Sequence, residues 1–234
     1  MTVTVDILQR LPLLSALPRV TLSELSKVSE LKSFNKREVV VSKGTQPQHL
    51  LFLLNGRLQG VDFTMDGKEV GVFFTQPGDF FGELAVMDQE PHPETIIAIA
   101  KSTVVAVPRL SIRPLLLAMP ALAEALTLRL ASKLRLASTQ RRILGLTNPT
   151  QKVCAQLWTM LPTSTAVGQQ PATISQMPTH QELAIMVNAS RETVTRVFQQ
   201  LLLKSVVKRD GNDLIVVNPQ LLKHLSEGQT SLDA

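Results

Sequence analysis

A single cysteine, Cys154, is the first constraint in this 234-residue chain. One thiol forbids an internal disulfide, and an iron–sulfur cluster needs about four thiolates. Cys154 lies among Val153, Leu157 and Trp158 on a helical pattern, which reads as a small buried side chain. No apolar run approaches the roughly 20 residues of a membrane span, and the opening MTVTVDILQRLP lacks the basic start of a secretory signal. The expectation is a cytoplasmic protein without a membrane partner. Histidines are few and scattered, at 49, 92, 180 and 224, with no HExxH or paired metal spacing. Neither Gly-x-Ser-x-Gly nor a Walker loop is present, so no catalysis and no metal site are expected. His49 or His92 could serve a haem as axial ligand, but each stands alone at a turn, where a solvated side chain is the simpler reading.

What is there begins with length and charge. A chain of 234 residues with 44% hydrophobic content can pack one large or two small domains. The net charge of +5 and a pI near 9.6 suit nucleic-acid binding. Their distribution does not locate a site, because residues 148–234 carry only +1 and the remainder +4.

The locating feature is PTHQELAIMVNASRETVTRVFQQ, residues 178–200. Thr179 followed three residues later by Glu182 is a capping box that starts a helix. Leu183, Ile185, Met186 and Val187 supply its buried side, and Asn188-Ala189 breaks the pattern with a residue that tolerates a left-handed backbone. Ser190 caps a second helix whose Val194, Val197, Phe198, Leu201 and Leu202 face inward, leaving Arg191, Glu192, Thr193, Thr195 and Arg196 outside. Arginine can bond guanine O6 and N7 together, and a carboxylate accepts from cytosine N4, so this is the equipment of a recognition helix in a major groove. The alternative is an ordinary pair of helices with solvated charges. Two apolar runs around Asp210-Gly211, from Val206 to Val217, then read as a β-hairpin, and a wing beside the helix fits DNA binding.

Upstream, residues 6 to about 30 show helical patterning with prolines at 12 and 18. From Lys32 to Pro108 short apolar runs alternate with glycine-bearing turns, which predicts an antiparallel β region. Asn55-Gly56 and Asp66-Gly67 predict tight hairpins, and hence a compact roll or barrel. From Ser111 to Leu146 one long helix is expected, broken or kinked at Pro120. Leu122, Leu126, Leu130, Leu134 and Ala137 form one apolar face, while Leu128, Leu136 and Ile143 point elsewhere. Two faces imply two neighbours, the roll and the same helix of a second subunit. Arg129, Lys133, Arg135, Arg141 and Arg142 stand on this helix without an acid from 125 to 146. They are either solvated or available to grip an anionic ligand. Thr147-Asn148-Pro149 marks a hinge, Pro162 to Pro178 a loop with room for a short edge strand, and Ser226 to Ala234 a frayed tail.

The stretch Ser190 to Arg196, with its pattern S-R-E-T-V-x-R, resembles the recognition helix of the cyclic-AMP receptor and Fnr superfamily of bacterial transcription factors. The resemblance covers nearly the whole chain in order. It implies an α+β protein with an N-terminal antiparallel β-roll at 1–114, a long dimerisation helix at 115–146 and a C-terminal winged helix-turn-helix at 147–234. By it, Arg191, Glu192 and Arg196 would read bases, while Thr179, His180, Gln181, Ser190 and Thr193 would hold phosphates. The implied partners are double-stranded DNA with a palindromic site built from half-sites near TGTGA, a second copy of the chain, and RNA polymerase. His180 departs from the arginine of the cyclic-AMP receptor, and Asn188 from the usual turn glycine. Lone Cys154 excludes the oxygen-sensing branch, whose cluster needs more thiolates.

Gly78 to Met87, GDFFGELAVM, resembles a cyclic-nucleotide phosphate cassette. The resemblance implies that Gly82, Glu83, Leu84 and Ala85 meet the ligand, with backbone N–H groups on the phosphate and Glu83 on the ribose hydroxyl. The arginine that would neutralise the phosphate is missing. Its place falls on Glu94, and the serine beside it becomes Thr95. A carboxylate facing a phosphate is repulsive. Glu94 could instead accept from the adjacent N1–H and N2–H₂ donors of a guanine edge, which cyclic di-GMP would satisfy. Two hydroxyl residues that touch adenine in the cyclic-AMP receptor align with Ala137 and Ser138, and Arg135 and Arg141 stand near them to replace the lost cation. Three readings stay open: an effector such as cyclic di-GMP rather than cyclic AMP, no ligand at all, or a cyclic-AMP response through an atypical pocket. A plain exposed turn glutamate at 94 is the bland alternative.

Overall fold

The computed structural model describes residues 2–46, 48–63, 69–162 and 171–232. The chain forms two compact units, Met1–Leu134 and Arg135–Ala234.

The first unit opens with α1 (Val5–Gln9) and α2 (Arg19–Val28), separated by a turn segment where Pro12 and Pro18 sit. Eight strands follow: β1 (Glu30–Phe34), β2 (Val39–Val41), β3 (His49–Asn55), β4 (Leu58–Phe63), β5 (Glu69–Thr75), β6 (Phe80–Phe81), then, after α3 (Glu83–Asp88), β7 (Thr95–Ala98) and β8 (Ser102–Pro108). They make two antiparallel sheets of four, in the orders β1-β8-β3-β6 and β2-β7-β4-β5. The period-2 alternation of β3 and β8 builds the interior on both faces of the first sheet. Leu51, Leu53, Val104 and Ala106 pack between the sheets with Phe81 and Ile96. Leu50, Phe52, Val105 and Val107 face the helices, against Leu22, Ile112, Leu116, Leu122 and Leu126.

The hairpin expected at Asn55-Gly56 is not one. The turn carries the chain from β3 in one sheet to β4 in the other. Gly56 has φ +92, and a Cβ there would lie 2.4 Å from the Lys101 carbonyl, so the corner is packed against the β7–β8 turn and admits no side chain. Asp66-Gly67 lies outside the described residues, but β4 and β5 on either side of it pair antiparallel, from Leu58 with Thr75 to Phe63 with Glu69.

After α4 (Arg109–Ala118) the chain turns by 101° into α5 (Pro120–Gly145), a break at Pro120 rather than a kink. Among the described residues no single helix is long and apolar enough to cross a membrane. The boundary between the units falls within α5. Leu122 and Leu126 are buried and Leu130 packs on the same cluster, but the stripe is uncovered further on: Leu134 is 73% exposed and Ala137 is exposed. Leu128 and Leu136 are exposed as well, whereas Ile143, expected to point elsewhere, is buried in the second unit.

That unit contains the end of α5, α6 (Pro149–Thr159), β9 (Ala172–Ile174), α7 (His180–Val187), α8 (Arg191–Leu203), β10 (Val207–Asp210), β11 (Asp213–Val216) and α9 (Pro219–Glu227). Its core joins Val153, Cys154, Leu157, Leu183, Val194, Phe198, Leu201, Leu214, Val216 and Leu222, all buried. Burial pushes the Cys154 thiol up to about 12. The sheet order is β10-β11-β9, so the loop before α7 does contribute an edge strand. The Gln140 side chain donates to the Met186 carbonyl at 2.6 Å, fixing the end of α5 to the end of α7. The tail expected to fray is packed as far as Leu232, and its last two residues lie outside those described. Ser226 is buried at the end of α9, and Leu232 beyond it is 4% exposed, because an apolar side chain there still has a face to cover.

Candidate nucleic-acid interface and cassette

Local chemistry sets α7 and α8. Thr179 Oγ1 accepts from the Glu182 N–H at 3.2 Å while the Glu182 carboxylate accepts from the Thr179 N–H at 2.8 Å, the reciprocal bonds of a capping box. Asn188 closes α7 in the left-handed region at φ 49, and Ser190 Oγ accepts from the Thr193 N–H at 3.1 Å to open α8. Burial of Val194, Val197, Phe198 and Leu201 leaves the opposite side of α8 outward. Arg191, Glu192, Thr195, Arg196 and Gln199 line a concavity of about 310 Å³ on that side. The Glu192 carboxyl is held below its ordinary range, first by its own backbone N–H and then by the Ser190 hydroxyl. It therefore stands as an ionised acceptor beside the Arg191 guanidinium. Exposed Lys208 and Arg209 on β10 add cations on the wing.

The proposed phosphate-holding hydroxyls are already engaged within the fold: Thr179 in its capping box, and Ser190 and Thr193 with each other at 3.0 Å. Gln181 is exposed. His180 is turned inward. Its ring stacks on Phe198 with centroids 4.7 Å apart, and Nδ1 is 2.9 Å from Thr195 Oγ1. Burial first, then Arg209 and Arg191, lower its pKa. A side chain that replaces arginine here therefore packs as a neutral group.

In the first unit, Gly82 adopts φ +82, and a Cβ would meet the His92 ring at 3.3 Å, so glycine is required before Glu83. Glu83 is 1% exposed and Ala85 is buried, while Leu84 is half exposed. Lys133 of α5 brings its ammonium to 2.5 Å from Glu83 Oε1 and 4.8 Å from the Phe73 ring centre. The contact is an ion pair, and among the described residues the buried carboxylate oxygens have no hydrogen-bond partner. One turn earlier, Arg129 lies 3.4 Å from Asp79. Two cations at i and i+4 on the helix thus face two acids at i and i+4 on the cassette.

Glu94 is not an exposed turn residue. Hydrogen bonds from the His92 N–H to the Thr45 carbonyl, from Gly44 N–H to the His92 carbonyl, and from Lys43 N–H to Thr95 Oγ1 pin its turn against the roll. Burial raises the Glu94 pKa, Lys133 and Lys43 oppose the rise, and Glu83 and Asp62 add to it. Arg135, Ser138 and Arg141 lie on the part of α5 that belongs to the second unit, and all three are exposed. Neither His49 nor His92 is a freely solvated side chain; burial lowers the pKa of both.

Two family models match in the same order as the two units, the cyclic nucleotide-binding domain over residues 31–118 and the Crp-like helix-turn-helix domain over 151–225. The chain belongs to the Crp/Fnr family of transcription regulators. It is 24% identical over 220 residues to the CRP-like cAMP-activated global transcriptional regulator of Mycobacterium tuberculosis, covering 93% of this chain and 97% of that protein. It is 26% identical over 186 residues to the cyclic AMP receptor protein of Thermus thermophilus, covering 80% and 83%. Its fold is shared with FixK2 from Bradyrhizobium japonicum, at TM-score 0.71 and 22% identity over 85% of this chain and 97% of that one. It is shared too with the c-di-GMP responsive global regulator CLP of Xanthomonas campestris, at TM-score 0.65 and 16% identity over 86% and 100%. Crp/Fnr proteins are regulators and not enzymes, and this one is a Crp-like DNA-binding transcription regulator with a cyclic nucleotide-binding domain.

Sequence reasoning passed over Lys133 as a cassette partner and Gln199 as lining of the α8 concavity, and it placed Thr195 on the outward face without giving it a role. The first was signalled by matched spacing, Asp79/Glu83 against Arg129/Lys133. The second follows from counting turns from Arg191. For this Crp/Fnr regulator the inward His180 carries a pH prediction. Its folded pKa lies below its unfolded one, so the unfolded chain binds more protons between the two values. The stabilising contribution is complete above about pH 6.5, the ordinary histidine value, and is lost as pH falls through the folded pKa. Urea unfolding followed by the fluorescence of Trp158, which lies in this unit, should show a falling midpoint on acidification. His180→Phe, which keeps the ring stack, should flatten that fall, and an unchanged slope would remove His180 as its source.

Proposed function

We propose that this regulator works as a homodimer whose roll and long helix take a guanine-bearing effector, cyclic di-GMP rather than cyclic AMP, and whose two recognition helices read a palindrome. The roll at 1–114 would be the effector domain, 115–146 the dimerisation helix and 147–234 the DNA-binding domain. The carrying observation is the cassette's charge. Glu94 stands half-buried where the family's arginine is expected, and the groups acting on it are Glu83, Asp62, Lys133 and Lys43. Three carboxylates against two ammoniums repel a phosphate approaching Glu94. A guanine edge instead offers two donors to a carboxylate whose burial otherwise costs free energy.

Dimerisation is supported by Leu128, Leu134 and Leu136, exposed along α5. Crp-like regulators bind DNA and typically dimerise. Two-fold symmetry then sets half-sites one DNA turn apart, about 34 Å, with RNA polymerase as the partner downstream. The relatives named as cAMP-activated keep cyclic AMP as a second effector to test. Lys133 already neutralises Glu83 without any ligand, which favours a ligand-independent form as the competing reading.

Calorimetric titration of the apo-protein with cyclic di-GMP, cyclic AMP and cyclic GMP tests this. Micromolar binding of cyclic di-GMP alone, weakened about tenfold in Glu94→Ala, is the expected result; tenfold corresponds to about 1.4 kcal/mol, the scale of one charge-assisted hydrogen bond. Cyclic AMP binding that Glu94→Ala leaves intact would overturn it, and silence toward all three would leave the ligand-independent form.

A further inference from the structure

Thr195 sits on the reading side of α8 with its hydroxyl committed within the protein. Its Oγ1 donates to the Arg191 carbonyl at 2.9 Å and lies 2.9 Å from His180 Nδ1. Since the hydroxyl proton is spent on Arg191, the imidazole must be the donor, which places its proton on Nδ1. The same assignment leaves Nε2 as a bare lone pair, and Nε2 is buried without a hydrogen-bond partner among the described residues. Stacking on Phe198, itself 2% exposed, fixes the ring. With its proton given to the Arg191 carbonyl and one of its two lone pairs taken by the imidazole, the hydroxyl has no donor left for a base, and the apolar group Thr195 can offer to the concavity it lines with Arg191, Arg196 and Gln199 is its γ-methyl.

We propose that Thr195 is a thymine-reading residue, its methyl group packing on a thymine C5-methyl in the major groove, and that His180 is the positioning residue that turns its hydroxyl away from the DNA. Every base pair displays a different pattern in the major groove, and the C5-methyl is the apolar mark of thymine. Thr195 stands one helical turn beyond Arg191 and one before Gln199, so it falls between two residues on the same stripe. An outward, phosphate-gripping arginine at position 180 would leave both lone pairs of the Thr195 hydroxyl open to a base donor; the inward imidazole takes one of them. This inference rests on α8 being the recognition helix.

The test uses the full chain and the duplex it selects from a random pool, with each thymine replaced in turn by deoxyuridine, which removes only the methyl group. At one thymine of each half-site the replacement should weaken wild-type binding about fourfold, the factor that one buried methyl commands. Thr195→Ser keeps both hydrogen bonds and should bind the two duplexes equally, whereas His180→Phe, with the stack but no Nδ1 donor, should lose part of the discrimination. A selected half-site with no methyl-sensitive thymine overturns the proposal, as does a thymine-to-uracil ratio unchanged in Thr195→Ser. Arg191→Ala serves as the independent check on the helix: uniform loss on every sequence removes the recognition-helix reading itself, and base-selective loss keeps it whatever Thr195 does.

Discussion

Lys133→Met is expected to destabilise the first unit by about 3 kcal/mol, the scale for removing one partner of a buried ion pair. Glu83 is 1% exposed, and its nearest cation in the described structure is the Lys133 ammonium at 2.5 Å. Without it a buried carboxylate remains whose two oxygens have no hydrogen-bond partner among the described residues. Methionine fills the volume of the lysine stem, which separates the electrostatic loss from a packing loss. The double variant Glu83→Gln, Lys133→Met should recover most of the deficit, since an uncharged pair no longer carries the penalty. Because Trp158 belongs to the other unit, the measurement is calorimetric, read on the transition that lacks a tryptophan signal. A Lys133→Met transition within experimental scatter of wild type would mean that Glu83 is not an ionised partner.

Arg191→Ala and Arg196→Ala should each cost about 1 to 3 kcal/mol against the correct base pair, a factor of roughly five to over a hundred. Both guanidiniums are exposed on the same side of α8, and Arg196 also borders a second concavity with Asn148, Thr150 and Gln151 at the start of α6. A free guanidinium fork can take guanine O6 and N7 together; a methyl group takes neither. Binding measured on the selected duplex and on single-base variants should show the loss concentrated at one position per half-site. If Arg196→Ala instead weakens all duplexes alike and lowers the salt slope by about one, the residue holds a phosphate, as its second neighbourhood at α6 allows.

The helix-turn-helix was legible because its determinants are local. The capping box at Thr179, the left-handed Asn188 and the Ser190 cap each act within four residues, and each stands as the pattern implied. The roll was legible as a β region but not in its connections. Asn-Gly suits a hairpin, yet at Gly56 the pairing of β3 with β8, some fifty residues on, decides the partner. Long-range contacts also set the cassette. Nothing in the residues around Glu94 announces its burial, which comes from hydrogen bonds to Lys43, Gly44 and Thr45 on a distant turn. Lys133 read as one of five helix cations, solvated or available to a ligand, and not as the partner of Glu83, because ion-pair partners in different elements leave no periodic trace. At position 180 the family resemblance suggested a phosphate contact, whereas the structure shows the ring stacked on Phe198 and bonded to Thr195, contacts that no local pattern announces.

Cys154 makes the molecule a clean background for spectroscopy. Its thiol is buried and held protonated, with a pKa raised to about 12, so reagents that attack thiolates find almost none on the native chain. A cysteine placed at an exposed position such as Gln199 would be the sole labelled atom per chain without any native residue having first to be removed. In the proposed dimer, nitroxides or dyes attached there would report directly, chain against chain, how far apart the two recognition helices stand before and after the proposed effector is added.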